Sequence, residues 1–161
     1  MVSKEDLKQI VMLGYLNDEM REKLTPIVDV LNFDEQEAVF TEAQKADRLF
    51  MLRRGKILLE KRMSDKITVS VGAVKPGYVF GWSAMFDGAS AYSSDAICAE
   101  PCEVFSMRTK RIQKILDNNP EMGYIFNQRL MRTLKSRLDH RTTQFLRAIQ
   151  NHPEIQGLIE D

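Results

Sequence analysis

Few residues in this chain could do chemistry, and they are scattered. Cys98 and Cys102 are the two cysteines, and His140 and His152 the two histidines, both late in the sequence and far from any pocket-forming segment. A zinc site needs about four ligands, and no histidine lies near the cysteines in sequence, so buried, inert thiols are expected there; a redox pair is the rival reading. The chain contains no Gly-x-Ser-x-Gly elbow, no phosphate loop ending in Gly-Lys-Ser/Thr and no His-Glu-x-x-His pair, which removes the common routes to an enzyme. No catalytic residue and no metal ligand is expected. What remains is Lys75-Pro76-Gly77-Tyr78-Val79-Phe80-Gly81-Trp82-Ser83-Ala84-Met85-Phe86, followed by small polar residues up to Ser94. Two glycines with consecutive main-chain N–H groups near a short helix start can form an anion-binding nest, although a Pro-Gly turn between two strands gives the same pattern.

Two further signals lie in the last long helical stretch. Arg129, Arg132, Lys135, Arg137, Arg141 and Arg147 face only Asp139 in charge; such a patch can hold a phosphate backbone or form the solvated side of an amphipathic helix. Met131, Leu134, Leu138, Phe145 and Ala148 recur in alternating steps of three and four, interrupted by Arg141. That is the seam of a short coiled coil. Met122, Ile125, Phe126 and Leu130 are expected to pack within the chain itself, leaving the later part of the helix for a partner, with a homodimer as the first expectation and an unidentified protein partner as the second.

The elements that must position these residues follow from periodicity. The chain has 161 residues, 43% of them hydrophobic and 29% charged, with 23 basic and 23 acidic side chains. This is the balance of one soluble globular domain, with no global field to draw it onto nucleic acid or an anionic membrane. No signal-like start and no apolar run near 18 residues occurs, so a cytoplasmic location is expected. Ser3 and Asp6 make a capping pair before Leu7, Ile10 and Val11; Asn17 caps a second turn with Met20 and Leu24; Pro26 then pushes the chain into the β-rich run Ile27 to Phe33. The period stays mostly two until Met107. Arg54-Gly55-Lys56 predicts a hairpin pairing its flanking strands, Ser64-Asp65-Lys66 a second turn, and Glu100-Pro101 a third. Short strands with frequent turns suggest a sandwich or jelly roll. Ile112, Ile115 and Leu116 then restore helical spacing up to Asn118-Asn119-Pro120, where Asn119 caps and Pro120 starts a last helix of about 30 residues. The organisation expected is a single domain over 1–161, with N-terminal helices in 1–26, the β portion in 27–107 and C-terminal helices in 108–150.

Leu49 to Gly55, Pro76-Gly77-Tyr78-Val79-Phe80-Gly81, and Cys102-Glu103-Val104 leading without a gap to Asn119-Pro120 together resemble the cyclic nucleotide-binding domain family, in particular the sensory domain of catabolite-activator-type regulators. The likeness covers about residues 7 to 147. It implies an α+β fold, a β jelly roll (a cupin-like double-stranded β-helix) with flanking helices, a ligand pocket under the long helix, and dimerisation through that helix at Met131, Leu134, Leu138 and Phe145. By the same resemblance the ligand site falls on Phe80, Gly81, Trp82, Ser83, Tyr92, Ser93, Arg137 and Leu138.

The family's cassette has Phe-Gly-Glu and, about ten residues later, Arg-Ser or Arg-Thr. Here Trp82 stands where the glutamate would hold the ribose hydroxyl, and Tyr92 where the arginine would pair with the cyclic phosphate. Charged hydrogen bonds contribute roughly 1.5–3 kcal/mol each, so cyclic AMP and cyclic GMP are not expected to bind in the usual mode. The pocket either takes a different nucleotide-like or other small molecule, or is filled by its own side chains. The family's winged helix would need some 70 residues beyond about position 138, so the expected function is a regulatory sensing module without direct DNA binding. The alternative is a DNA-binding regulator acting through the basic helix or through a partner chain.

Overall fold

The computed structural model describes residues 2–86 and 91–153. These divide into two compact units, with the boundary after Phe126. The first unit opens with α1 (Lys4–Lys8) and α2 (Asp18–Leu24). Ser3 and Asp6 form the expected reciprocal cap, and the Asn17 side chain accepts the Met20 N–H at 2.9 Å. Arg21, buried beneath these turns, donates to the Leu16 carbonyl and to Asp18, tying the second helix to the segment before it. A salt-bridged trio joins this cap to the β portion: the Arg53 guanidinium lies 2.8 Å from Asp6 and 2.6 Å from Glu103, above the Phe105 ring.

Eight strands follow among the described residues: β1 (Val28–Phe33), β2 (Ala38–Phe40), β3 (Arg48–Arg54), β4 (Ile57–Arg62), β5 (Thr68–Val74), β6 (Val79–Phe80), β7 (Asp95–Cys98) and β8 (Cys102–Arg108). They form two antiparallel four-stranded sheets, ordered β1-β8-β3-β6 and β2-β7-β4-β5. This is the jelly roll that the short strands predicted. Leu49, Phe50, Met51 and Leu52 of β3 are all buried, as are Val104 to Met107 of β8, because these two central strands are covered on both faces.

One pairing departs from expectation. The Arg54-Gly55-Lys56 turn does not close a hairpin: β3 and β4 lie in different sheets. Gly55 instead takes φ +94° at a corner where the chain crosses from one sheet to the other. A second corner sits against it at Glu100-Pro101, where β7 hands over to β8. A Cβ at Gly55 would stand 2.6 Å from the Pro101 carbonyl oxygen and 2.6 Å from Cys102 Sγ. The glycine was read correctly as a reversal, but a reversal has the same local chemistry whether the next strand pairs with the last or is handed to the facing sheet. The Ser64-Asp65-Lys66 turn does close a hairpin, between β4 and β5.

After β8 come α3 (Thr109–Asp117) and α4 (Pro120–Gln150). Pro120 opens α4 as predicted, and Asn119 stands directly before it, its main-chain carbonyl accepting the Gly123 N–H at 2.9 Å; its side chain reaches elsewhere as well. Its side-chain amide donates to the Ile115 carbonyl and its side-chain carbonyl accepts from Lys23 at 2.8 Å, so it ties the end of α3 to α2. Met122 and Phe126, at the start of α4, are fully buried. The 31 residues of α4 extend about 46 Å at 1.5 Å per residue.

The two abutting corners give the first prediction. Gly55→Ala forces a side chain into the left-handed region and against the Pro101 carbonyl oxygen and the Cys102 sulfur, so it is expected to destabilise the protein by more than about 2 kcal/mol in denaturant titration. A midpoint equal to that of the parent would mean that the corners part without cost.

Candidate ligand-binding site

Phe80, at the end of β6, leads into Gly81, whose φ of +72° starts the 3-10 turn Trp82–Met85. The reason for glycine here is packing as well as conformation. A Cβ at Gly81 would lie 2.9 Å from the Phe50 ring, 3.2 Å from the Phe40 ring and 3.3 Å from the Tyr92 ring. These rings, with Phe80, form an aromatic cluster in the core between the sheets. Tyr92 stacks on Phe40 with centroids 3.9 Å apart and planes 18° apart, and Phe50 lies 5.5 Å from both Phe40 and Phe80.

Tyr92 is only 4% exposed. Its hydroxyl donates to the Arg48 carbonyl at 2.9 Å and accepts the Arg48 N–H at 3.2 Å, at the first residue of β3. Burial holds its ionisation above the ordinary tyrosine range. Its own main chain is paired as well, with its N–H on the Gln44 carbonyl and its carbonyl on the Ala43 N–H. Ser93, the next residue, is exposed; Trp82 and Ser83 are half-buried.

The structure therefore brings Phe80, Gly81 and Tyr92 into one cluster. Arg137 and Leu138 belong to the second unit: Leu138 is exposed, and Arg137 is half-buried, with burial and then the Arg141 charge pushing its guanidinium down to about 10. Two members of the cluster, Phe40 and Phe50, were not singled out from sequence. Phe50 lies in the unbroken apolar run Leu49 to Leu52, where no alternation marks a face, and nothing local says which ring either residue meets.

On α4 the seam residues Met131, Leu138 and Phe145 are 60–64% exposed and Leu134 is half-buried. Tyr124, 65% exposed, stands seven residues before Met131 and continues the same stripe; stepping the seven-residue spacing back from Met131 would have found it. The basic face is thinner than the sequence suggests, because Lys135 pairs with Asp139 at 2.6 Å and Arg137 is half-buried.

Cys98 and Cys102 are both free and buried. Burial, then the hydrogen bond that the protonated Cys98 thiol makes to the neighbouring Cys102 sulfur, pushes the Cys98 thiol up to about 12, while Cys102 Sγ donates to the Glu100 carbonyl at 3.2 Å. No group of three or more His, Cys, Asp or Glu side chains among the described residues could hold a metal ion. A shallow groove of about 540 Å³ runs between Ala84-Met85 and the Lys110, Gln113 and Lys114 side of α3. No helix among the described residues is long and apolar enough to cross a membrane.

Comparison with known proteins fits this architecture. The profile of the cyclic nucleotide-binding domain matches residues 30–119, more than half of the chain. The chain belongs to the cyclic nucleotide-binding domain family. Among solved structures it is similar to a Geobacter metallireducens protein assigned by name only to the cyclic nucleotide-binding proteins, at 27% identity and TM-score 0.74, covering 86% of this chain and 99% of that one. It is also similar to a cyclic nucleotide-binding domain from Methylobacillus flagellatus, at 19% identity and TM-score 0.82, covering 93% and 86%. A third likeness is to the regulatory subunit of a cAMP-independent protein kinase A from Trypanosoma brucei, at 13% identity and TM-score 0.72, covering 88% and 49%. The last two show the fold alone. No curated protein matches the chain.

The raised Cys98 thiol and the burial of both sulfurs give the second prediction. A group whose pKa stands near 12 is almost wholly protonated at pH 8, and the thiolate is the reacting form. A disulfide reagent such as dithionitrobenzoate at pH 8 is expected to label neither cysteine in the native protein and both after denaturation. Rapid stoichiometric labelling of the native protein would restore the redox reading.

Proposed function

We propose that this chain is a regulatory sensing module of the cyclic nucleotide-binding type that acts by binding rather than catalysis, works in the cytoplasm, and does not hold cyclic AMP or cyclic GMP in the family's charged mode. The observation that carries this reading is the state of Tyr92. At the position from which the family pattern sends an arginine to the cyclic phosphate, the chain has a neutral phenol whose hydroxyl is already bonded to the Arg48 main chain. Trp82 adds an indole where the pattern has a carboxylate, and an indole N–H can only donate, leaving a ribose hydroxyl without its acceptor.

The same reading takes the module to be a homodimer. Tyr124, Met131, Leu138 and Phe145 form a line of large apolar side chains along α4 at seven-residue spacing, and a stripe of this kind on a monomer favours association. The remaining exposed cations, Arg132, Arg141 and Arg147, and a net charge of zero over the whole chain give little support to a reader of duplex DNA.

Two measurements test the proposal. Calorimetry of the protein with cyclic AMP and cyclic GMP is expected to show dissociation constants well above micromolar; micromolar or tighter binding by the parent protein overturns the reading of the cassette. Light scattering at tens of micromolar is expected to give a dimer, and Leu138→Glu a folded monomer. A monomeric parent protein sinks the assignment of α4 as the interface.

A further inference from the structure

Tyr92 is satisfied at every polar atom it has. Its N–H and carbonyl pair with Gln44 and Ala43, and its hydroxyl donates to one main-chain group of Arg48 and accepts from another. The ring between these two ends lies against Phe40, within reach of Phe50 at 6.2 Å, and over the bare face of Gly81. One side chain thus connects the Ala91–Tyr92 segment to the end of β2 and the start of β3, the latter 44 residues earlier in the chain.

We propose that Tyr92 is an internal ligand: its phenol occupies a built aromatic site in the barrel and binds the Ala91–Tyr92 segment to β2 and β3 without a small molecule. The site has the two features of a ligand pocket, an apolar wall of rings and a small number of placed polar groups at its far end, here the Arg48 N–H and C=O. The chemistry it recognises is a neutral phenol. A carboxylate or phosphate would meet the ring faces and the Arg48 carbonyl, both of which repel anions. The proposal goes beyond the function proposed above, since it concerns what fills position 92 and not which nucleotide, if any, is held elsewhere.

The test is to remove the phenol and return it as a free molecule. Tyr92→Ala keeps Cβ and removes the phenol ring, leaving a cavity shaped to free phenol, with rings along its wall and the Arg48 N–H and carbonyl at its far end; cavities made by truncation accept matching ligands. The variant is expected to melt about 10 °C below the parent. Several millimolar phenol should then raise its melting temperature by about 3 °C, benzene should raise it less, and neither should raise that of the parent protein. A folded Tyr92→Ala protein that responds to phenol no more than the parent does overturns the proposal. Tyr92→Phe keeps the ring and tests the polar end, including the case in which Tyr92→Ala does not fold. Amide exchange at Arg48, followed by NMR, is expected to quicken at least tenfold when the hydroxyl is lost, and unchanged protection there overturns the proposal independently. Neither readout involves cyclic nucleotides, so its failure is distinct from failure of the calorimetric test.

Discussion

The close approach of four aromatic rings around Gly81 is the constraint on which the barrel's interior depends. Phe40 comes from one sheet, Phe50 and Phe80 from the other, and Tyr92 from the segment before β7. The rings are therefore a seam between the sheets as well as part of one core cluster. They close only because position 81 has no side chain: the nearest ring carbon is 2.9 Å from where a Cβ would be. Offset aromatic pairs add roughly 0.5–1.5 kcal/mol beyond the area they bury, and five ring pairs among the four residues lie close enough to contribute. The left-handed φ of Gly81 then turns the chain out of β6 into the Trp82–Met85 turn, so one missing methyl group sets both the core and the start of the cassette.

A second close approach works at the other end of the sheets. Two sheet-crossing corners meet at Gly55 and Pro101, and Cys102 fills the space between them. This gives the cysteines a structural account. Cys98 ends β7, Cys102 begins β8, and the sulfurs pack as small hydrophobes where a larger side chain would separate the corners. The acidity of Cys98 moves in the direction such packing requires, away from the thiolate.

How much of this was legible in the sequence follows the range of the interaction involved. The Ser3–Asp6 cap, the Asn17 cap, the Pro120 helix start and the β4–β5 turn were all readable, because each is decided within about four residues. The Gly55 corner was half readable: the glycine announced a reversal, but which sheet receives the next strand depends on contacts with residues 101 and 102. The place of Asn119 before the helix was readable too, but not its bond to Lys23, 96 positions away. Tyr92 is the most telling case. Flanked by Ala91 and Ser93, it looks in isolation like a residue open to solvent or ligand. Its burial comes from the Phe40 ring and the Arg48 main chain, which no local pattern connects to it.

These observations also bear on how a domain of this family can regulate. Where a charged ligand is held by an arginine and a glutamate, the polar half of the interaction must be supplied from outside. Here the Ala91–Tyr92 segment is tied by covalently attached groups, at no cost in translational entropy and with no dependence on ligand concentration. A barrel completed in this way has less to gain from an anion at that position. On the reading proposed here, a change of state has then to enter through surfaces still open to a partner. One of these is the line of exposed side chains Met131, Leu138 and Phe145 on α4, whose spacing suits another helix better than a small molecule.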